Sequence, residues 1–156
     1  MSRFLFFLIM IYIYPSHAAE CRGGETLIAS CILPGEREKK AEFCINKKTN
    51  SIYYAFKMGP DVQLKVDFTE NRKLKRWVDK WTYTTYFGFN QGRYDYILGI
   101  PEEKFEAVAF LKIKKDGKTL SAKSCRNNSF GEKGILSNKI EDVSDEKVRG
   151  SGFNFP

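Results

Sequence analysis

Val62-Gln63-Leu64-Lys65-Val66-Asp67-Phe68 alternates without a break, with four apolar side chains on one face and Gln63, Lys65 and Asp67 on the other. A period of two marks a half-buried β-strand, because successive side chains of an extended chain point to opposite sides. Gly59-Pro60-Asp61 precedes it as a turn, and Ile52-Tyr53-Tyr54-Ala55-Phe56 before that turn is a second β-branched and aromatic run. The two runs read as a hairpin.

The same grammar extends in both directions. Upstream, Leu27 to Leu33 is closed by Pro34-Gly35, and Ala41 to Asn46 is followed by the polar Lys47-Lys48-Thr49-Asn50. Downstream, Tyr83 to Phe89 and Arg93 to Leu98 flank Asn90-Gln91-Gly92, while Ala107 to Ile113 and Thr119 to Ser124 flank a segment centred on Asp116-Gly117. Asp-Gly between two alternating runs favours a tight hairpin, since both residues accept positive φ. The pattern predicts an all-β domain over residues 19–125, an antiparallel meander of about eight strands closed as a small barrel or folded as a sandwich. Runs of six or seven residues that contain lysines do not suit a membrane barrel, whose strands need about 9–11 residues with one apolar face.

Two stretches fall outside the pattern. In Glu70 to Trp81, Leu74, Trp77, Val78 and Trp81 fall at helical spacing, so the segment is expected to be a short helix or a long loop. Residues 126–156 carry balanced charges among scattered Gly, Ser and Asn and are expected to form a flexible tail. Of the +7 carried by all 156 residues, Arg3 supplies one and the balanced 126–156 segment none, so the remaining +6 belongs to the body.

Residues 1–18 read as an export signal. Arg3 precedes an unbroken apolar run from Phe4 to Tyr14, then Pro15 and the small-residue pattern Ser16-His17-Ala18. The run is too short to cross a bilayer, which takes about 20 residues, so no transmembrane segment is expected. Cleavage after Ala18 removes His17, the chain's single histidine. A protein without histidine cannot build Ser-His-Asp or Cys-His nucleophiles or a His-ligated zinc site. Neither a Gly-rich phosphate loop nor a calcium loop is present in the sequence. The chain is read as a non-enzyme that needs no cofactor or metal. The carboxylates a histidine-free hydrolase would draw on are Asp67, Asp95, Glu102, Glu103 and Glu106, and none lies in a motif.

Cys21, Cys31, Cys44 and Cys125 form an even set with no C-x-x-C spacing, which in an exported chain predicts two disulfides. Three connectivities exist. The strand layout points to Cys31–Cys44 across the first hairpin and Cys21–Cys125 tying the chain ends together.

Two stretches are candidate binding surfaces. Arg72 to Trp81 interleaves basic residues with two indoles, and Arg76, Trp77 and Trp81 are its interface-forming members. Gln91, Gly92, Arg93 and Tyr94 form a hairpin tip able to enter another protein's cleft. Each also has a plain structural reading, as a cover for one end of the fold and as an ordinary turn.

The order Cys-x-Leu, Phe-Cys, Ile-Tyr-Tyr-x-Phe, Gly-Arg-Tyr-x-Tyr and a closing Cys resembles small exported proteins of Gram-negative bacteria, mostly uncharacterised. Gly92-Arg93-Tyr94 is similar to the Ser-Gly-x-Lys/Arg-Tyr loop of the periplasmic C-type lysozyme inhibitors, small β-barrels that insert this loop into the enzyme's cleft. Gln91 stands in place of the serine, and Arg93 follows Gly92 without a spacer. The resemblance, shared with periplasmic immunity proteins, implies a periplasmic or secreted protein that binds and blocks another protein, a toxin or an envelope hydrolase. The alternative is a binding module for anionic envelope glycan or lipid. Dispersed charge on an exported chain makes nucleic acid an unsuitable partner.

Overall fold

The computed structural model describes residues 21–102, 107–126, 128–129 and 131–156. The export signal expected at 1–18, together with Glu103 and Glu106, lies outside the described residues.

Strands β1 (Thr26–Leu33), β2 (Lys39–Asn46), β3 (Ser51–Met58) and β4 (Asp61–Phe68) form one antiparallel meander. Strands β5 (Leu74–Asp79), β6 (Thr84–Gln91), β7 (Tyr94–Ile100), β8 (Phe110–Lys115) and β9 (Lys118–Ser124) form a second. The short β10 (Asn128–Ser129) adds to β1, and β11 (Ile140–Val143) lies parallel to β5 before the helix α1 (Asp145–Gly150). Two open sheets face each other, of five and six strands, so the fold is a sandwich and not a closed barrel.

The turns follow from their residues. Gly92 sits at φ +60° at the first position of the two-residue β6–β7 loop, where a hairpin turn requires positive φ. Asp116 and Gly117 at +52° and +75° close β8–β9 in the doubly positive form that matches strand twist.

Between the sheets the inward faces meet in an aromatic core. Tyr54 lies 5.0 Å from Phe43 and 4.9 Å from Phe89, and Phe89 stacks on Tyr96 at 5.1 Å between ring centroids. Tyr54 is fully buried, and its Oη has no hydrogen-bond partner among the described residues. Burial pushes this phenol far above its ordinary pKa.

Three expectations are corrected. The 70–81 segment contributes strand β5 in place of a helix or loop. β5 pairs with β6 and β11 at its edges and is covered on both faces, which hides the period of two: Leu74 joins the main core, and Trp77 an outer cluster with Val148 and Phe155. The 126–156 segment is not a flexible tail. Val143, Val148 and Phe155 pack on the outer face of the second sheet against Trp77, Tyr86 and Ile97. Gly88 makes room for this docking, since a Cβ there would stand 2.7 Å from the Phe155 ring.

The disulfides are Cys21–Cys44 and Cys31–Cys125, not the expected pairs. Cys31 lies opposite Ala41 and Cys44 opposite Leu27, with a bulge between Leu27 and Ala29. Cys31 therefore points into the core while Cys44 joins Cys21 and Tyr53 on the outer face. Cysteines on opposite faces of a sheet cannot bridge. The Cys31–Cys125 bond instead joins the two sheets, from β1 to the residue after β9.

Candidate functional site

The expected binding residues separate into two ends of the second sheet and its interior. β6 runs from one end to the other, so the β5–β6 turn holding Trp81 and the β6–β7 tip holding Gly92 and Arg93 are roughly 25 Å apart. A single cleft-filling surface made of both is not formed.

Arg76 and Trp77 are structural. Arg76 is 7% exposed and makes a two-pronged bond to Asp142, Nε to Oδ1 at 2.6 Å and Nη2 to Oδ2 at 2.8 Å. Its Nη1 donates to the carbonyls of Lys133 and Ile135, both at 2.8 Å. Those bonds from Arg76 hold the Asp142 carboxyl below the usual carboxylate range. Trp77 is 5% exposed, stacks on Tyr86 at 4.4 Å and donates Nε1–H to Asp145 Oδ1 at 2.9 Å.

The hairpin tip is exposed but internally engaged. Gln91 accepts a hydrogen bond from Arg72, and Arg93 binds Asp116 of the neighbouring hairpin through Nε at 2.8 Å and Nη2 at 2.5 Å. Tyr94 is half-buried beneath Lys115. An open groove of about 340 Å³ beside the tip is lined by Glu70, Arg72, Lys73, Lys75, Asn90 and Glu141 among others. The candidate carboxylates are scattered: Asp67 pairs with Lys65 on β4, Asp95 accepts from Asn90 on β7, and Glu102 is exposed after β7.

Trp81 behaves differently. It is 79% exposed, the second most exposed of the described large hydrophobic residues after Leu136, yet its surroundings are fixed. The Arg149 guanidinium lies 4.1 Å from the Trp81 ring and 5.3 Å from that of Phe153. Arg149 is in turn bonded to Asp79, and through Nε to Asp145 Oδ2 at 3.0 Å. Asp79 Oδ1 accepts the Trp81 backbone N–H at 2.9 Å, and Asp145 bridges back to Trp77. Burial opposes the charged form of Asp79, but the N–H groups of Trp81 and Thr82 and the Arg149 charge hold its carboxyl below the ordinary range.

Tyr83 and Phe153 flank this network, both more than half exposed and both in the left-handed region at φ +53° and +63°. Bulky residues rarely adopt that conformation, and it costs on the order of 1–3 kcal/mol where they do. The nearby charges nearly cancel: Lys80 pairs with Glu146 at 2.8 Å, while Arg149 faces two aspartates, which leaves one negative charge in excess. Trp81 and Phe153, bridged by the Arg149 guanidinium, thus form an exposed aromatic platform without positive excess on a basic protein. Sequence reasoning reached Trp81 but missed Phe153, Arg149 and Asp145, which join it only because the C-terminal segment docks. The signal for that docking was Ser144-Asp145-Glu146, a helix start whose Ser144 Oγ accepts the Lys147 N–H.

No match to this chain is found among protein-family models, curated proteins or solved structures.

Proposed function

We propose that this is an exported protein that binds another protein and blocks it sterically, in the manner of an inhibitor or immunity factor, with the Trp81 platform as its contact surface. The reading is carried by one observation: an indole left exposed while the half-buried Arg149, tied to the buried Asp79 and Asp145, lies against its ring. Trp, Tyr and Arg dominate the energetics of protein interfaces, and side chains ordered before binding lose little entropy on contact. Export to the periplasm or outside the cell supports both disulfides. Among the described residues, no helix is long and apolar enough to cross a membrane.

An aromatic contact whose neighbouring charges are nearly balanced predicts affinity that changes little with salt. The test is capture from an envelope extract at high salt, identification of the retained protein, and titration of that purified protein calorimetrically. One-to-one binding that Trp81→Ala weakens about 30-fold or more is expected. Binding that Trp81→Ala leaves intact overturns the assignment to this surface.

A further inference from the structure

A second surface lies at the far edge of the same sheet. β9 is its terminal strand, seven residues without proline, six of them exposed, and among the described residues no strand pairs with its outer side. Alternate residues of an edge strand direct their N–H and C=O groups away from the sheet, a template for one more strand. The other edges are less suited. β10 and β11 are two and four residues long, and β4 mixes Asp61 and Asp67 with Lys65.

The β8–β9 hairpin is also strongly one-signed. Between Phe110 and Arg126 it carries Lys112, Lys114, Lys115, Lys118, Lys123 and Arg126 against Asp116 alone, and Asp116 is bound to Arg93. Beside β9, between the two sheets, an open groove of about 140 Å³ is walled by Leu33, Phe56, Leu111 and Ile113, with Ser121 and Lys123 on the β9 side. Ser121 lies opposite Ile113 and Lys123 opposite Leu111, so these side chains share the face that turns into the groove.

We infer that β9 receives an extended acidic segment of a partner protein, which adds to the sheet as a further antiparallel or parallel strand. Its backbone takes up the free edge, its carboxylates meet the lysines, and one apolar side chain at an inward position enters the groove. Charge complementarity selects this occupant. A second copy of the hairpin brings its own Lys118 and Lys123 and is repelled, which is how lysine-bearing edges avoid self-pairing. An anionic polymer satisfies the lysines but neither the backbone edge nor the apolar groove. This site is independent of the Trp81 platform.

The test uses amide hydrogen exchange of the oxidised protein at physiological salt. The probe is a synthetic peptide as long as β9 that alternates glutamate with valine, and the controls are the same peptide with a central proline and polyglutamate of equal charge. Slowed exchange at β9 with the alternating peptide, lost with the proline peptide, supports the proposal. Lys118→Glu/Lys123→Glu should weaken binding about tenfold or more while leaving the melting temperature unchanged. Equal protection by polyglutamate identifies a charge-only polymer site and overturns it. So does an unprotected β9, or protection by self-association without peptide.

Discussion

Replacing Arg76 separates a structural role from a binding role, because the sequence presents this residue as part of an interface and the fold buries it. Arg76→Ala removes four donated hydrogen bonds. The two to Asp142 count for little, about 0–1 kcal/mol together, because that carboxylate is 63% exposed and solvated. The two to the Lys133 and Ile135 carbonyls are charge-assisted and shielded, contributing about 1.5 kcal/mol each. The expected loss is therefore about 3–4 kcal/mol, or a fall in melting temperature of about 10–15 °C for a domain of this size. Thermal unfolding of the oxidised variant by circular dichroism measures it. Arg76→Lys, which lacks the planar fork, should recover only part of the difference. An Arg76→Ala protein that melts with wild type while losing partner binding refutes the reasoning and returns Arg76 to the interface.

Three further outcomes follow from the same geometry. Removing Cys31–Cys125, which closes a loop of 94 residues, should cost about 4.7 kcal/mol, and removing Cys21–Cys44, separated by 23, about 3.4 in the chain-entropy model; denaturant melts of the two double-alanine proteins check the order. Tyr54→Phe should leave stability unchanged or raise it by about 1 kcal/mol, because it deletes a buried hydroxyl with no partner among the described residues; a loss above about 1 kcal/mol in chemical denaturation contradicts that account. Asp142 and Asp79 have folded pKa values below their unfolded value of about 3.9. Their contribution is full above that value and disappears as pH falls through the folded pKa, so stability should drop below about pH 4. In an acid titration followed by fluorescence, Asp142→Asn should flatten that drop.

What the sequence made legible was local. Val62 to Phe68 and the Gly59, Gly92 and Asp116-Gly117 turns were readable because period-two alternation and positive φ are properties of a few neighbouring residues. Eight of the nine strands from β1 to β9 answer to expected runs, and β5 is the exception. The misreadings share one cause, long-range packing. Trp77 at helical spacing from Leu74 looked like one face of a helix because its outer cluster is supplied by Val148 and Phe155, seventy or more residues away. The disulfide pairing turned on the β1–β2 register: Cys31 pairs with Ala41, three residues along β2 from Cys44, which places the two cysteines on opposite faces. At the candidate site Trp81 was visible only as one of two indoles in a basic run. Its supports were not, because Arg149 and Phe153 reach it only through the docked C-terminus.

The measurement that tests the central claim most directly is the affinity of the captured partner for wild type, Trp81→Ala and Trp77→Phe at low and high salt. The account predicts a one-to-one complex that is insensitive to salt, kept by Trp77→Phe and lost with Trp81→Ala. Binding that vanishes at high salt and is indifferent to Trp81 would contradict it.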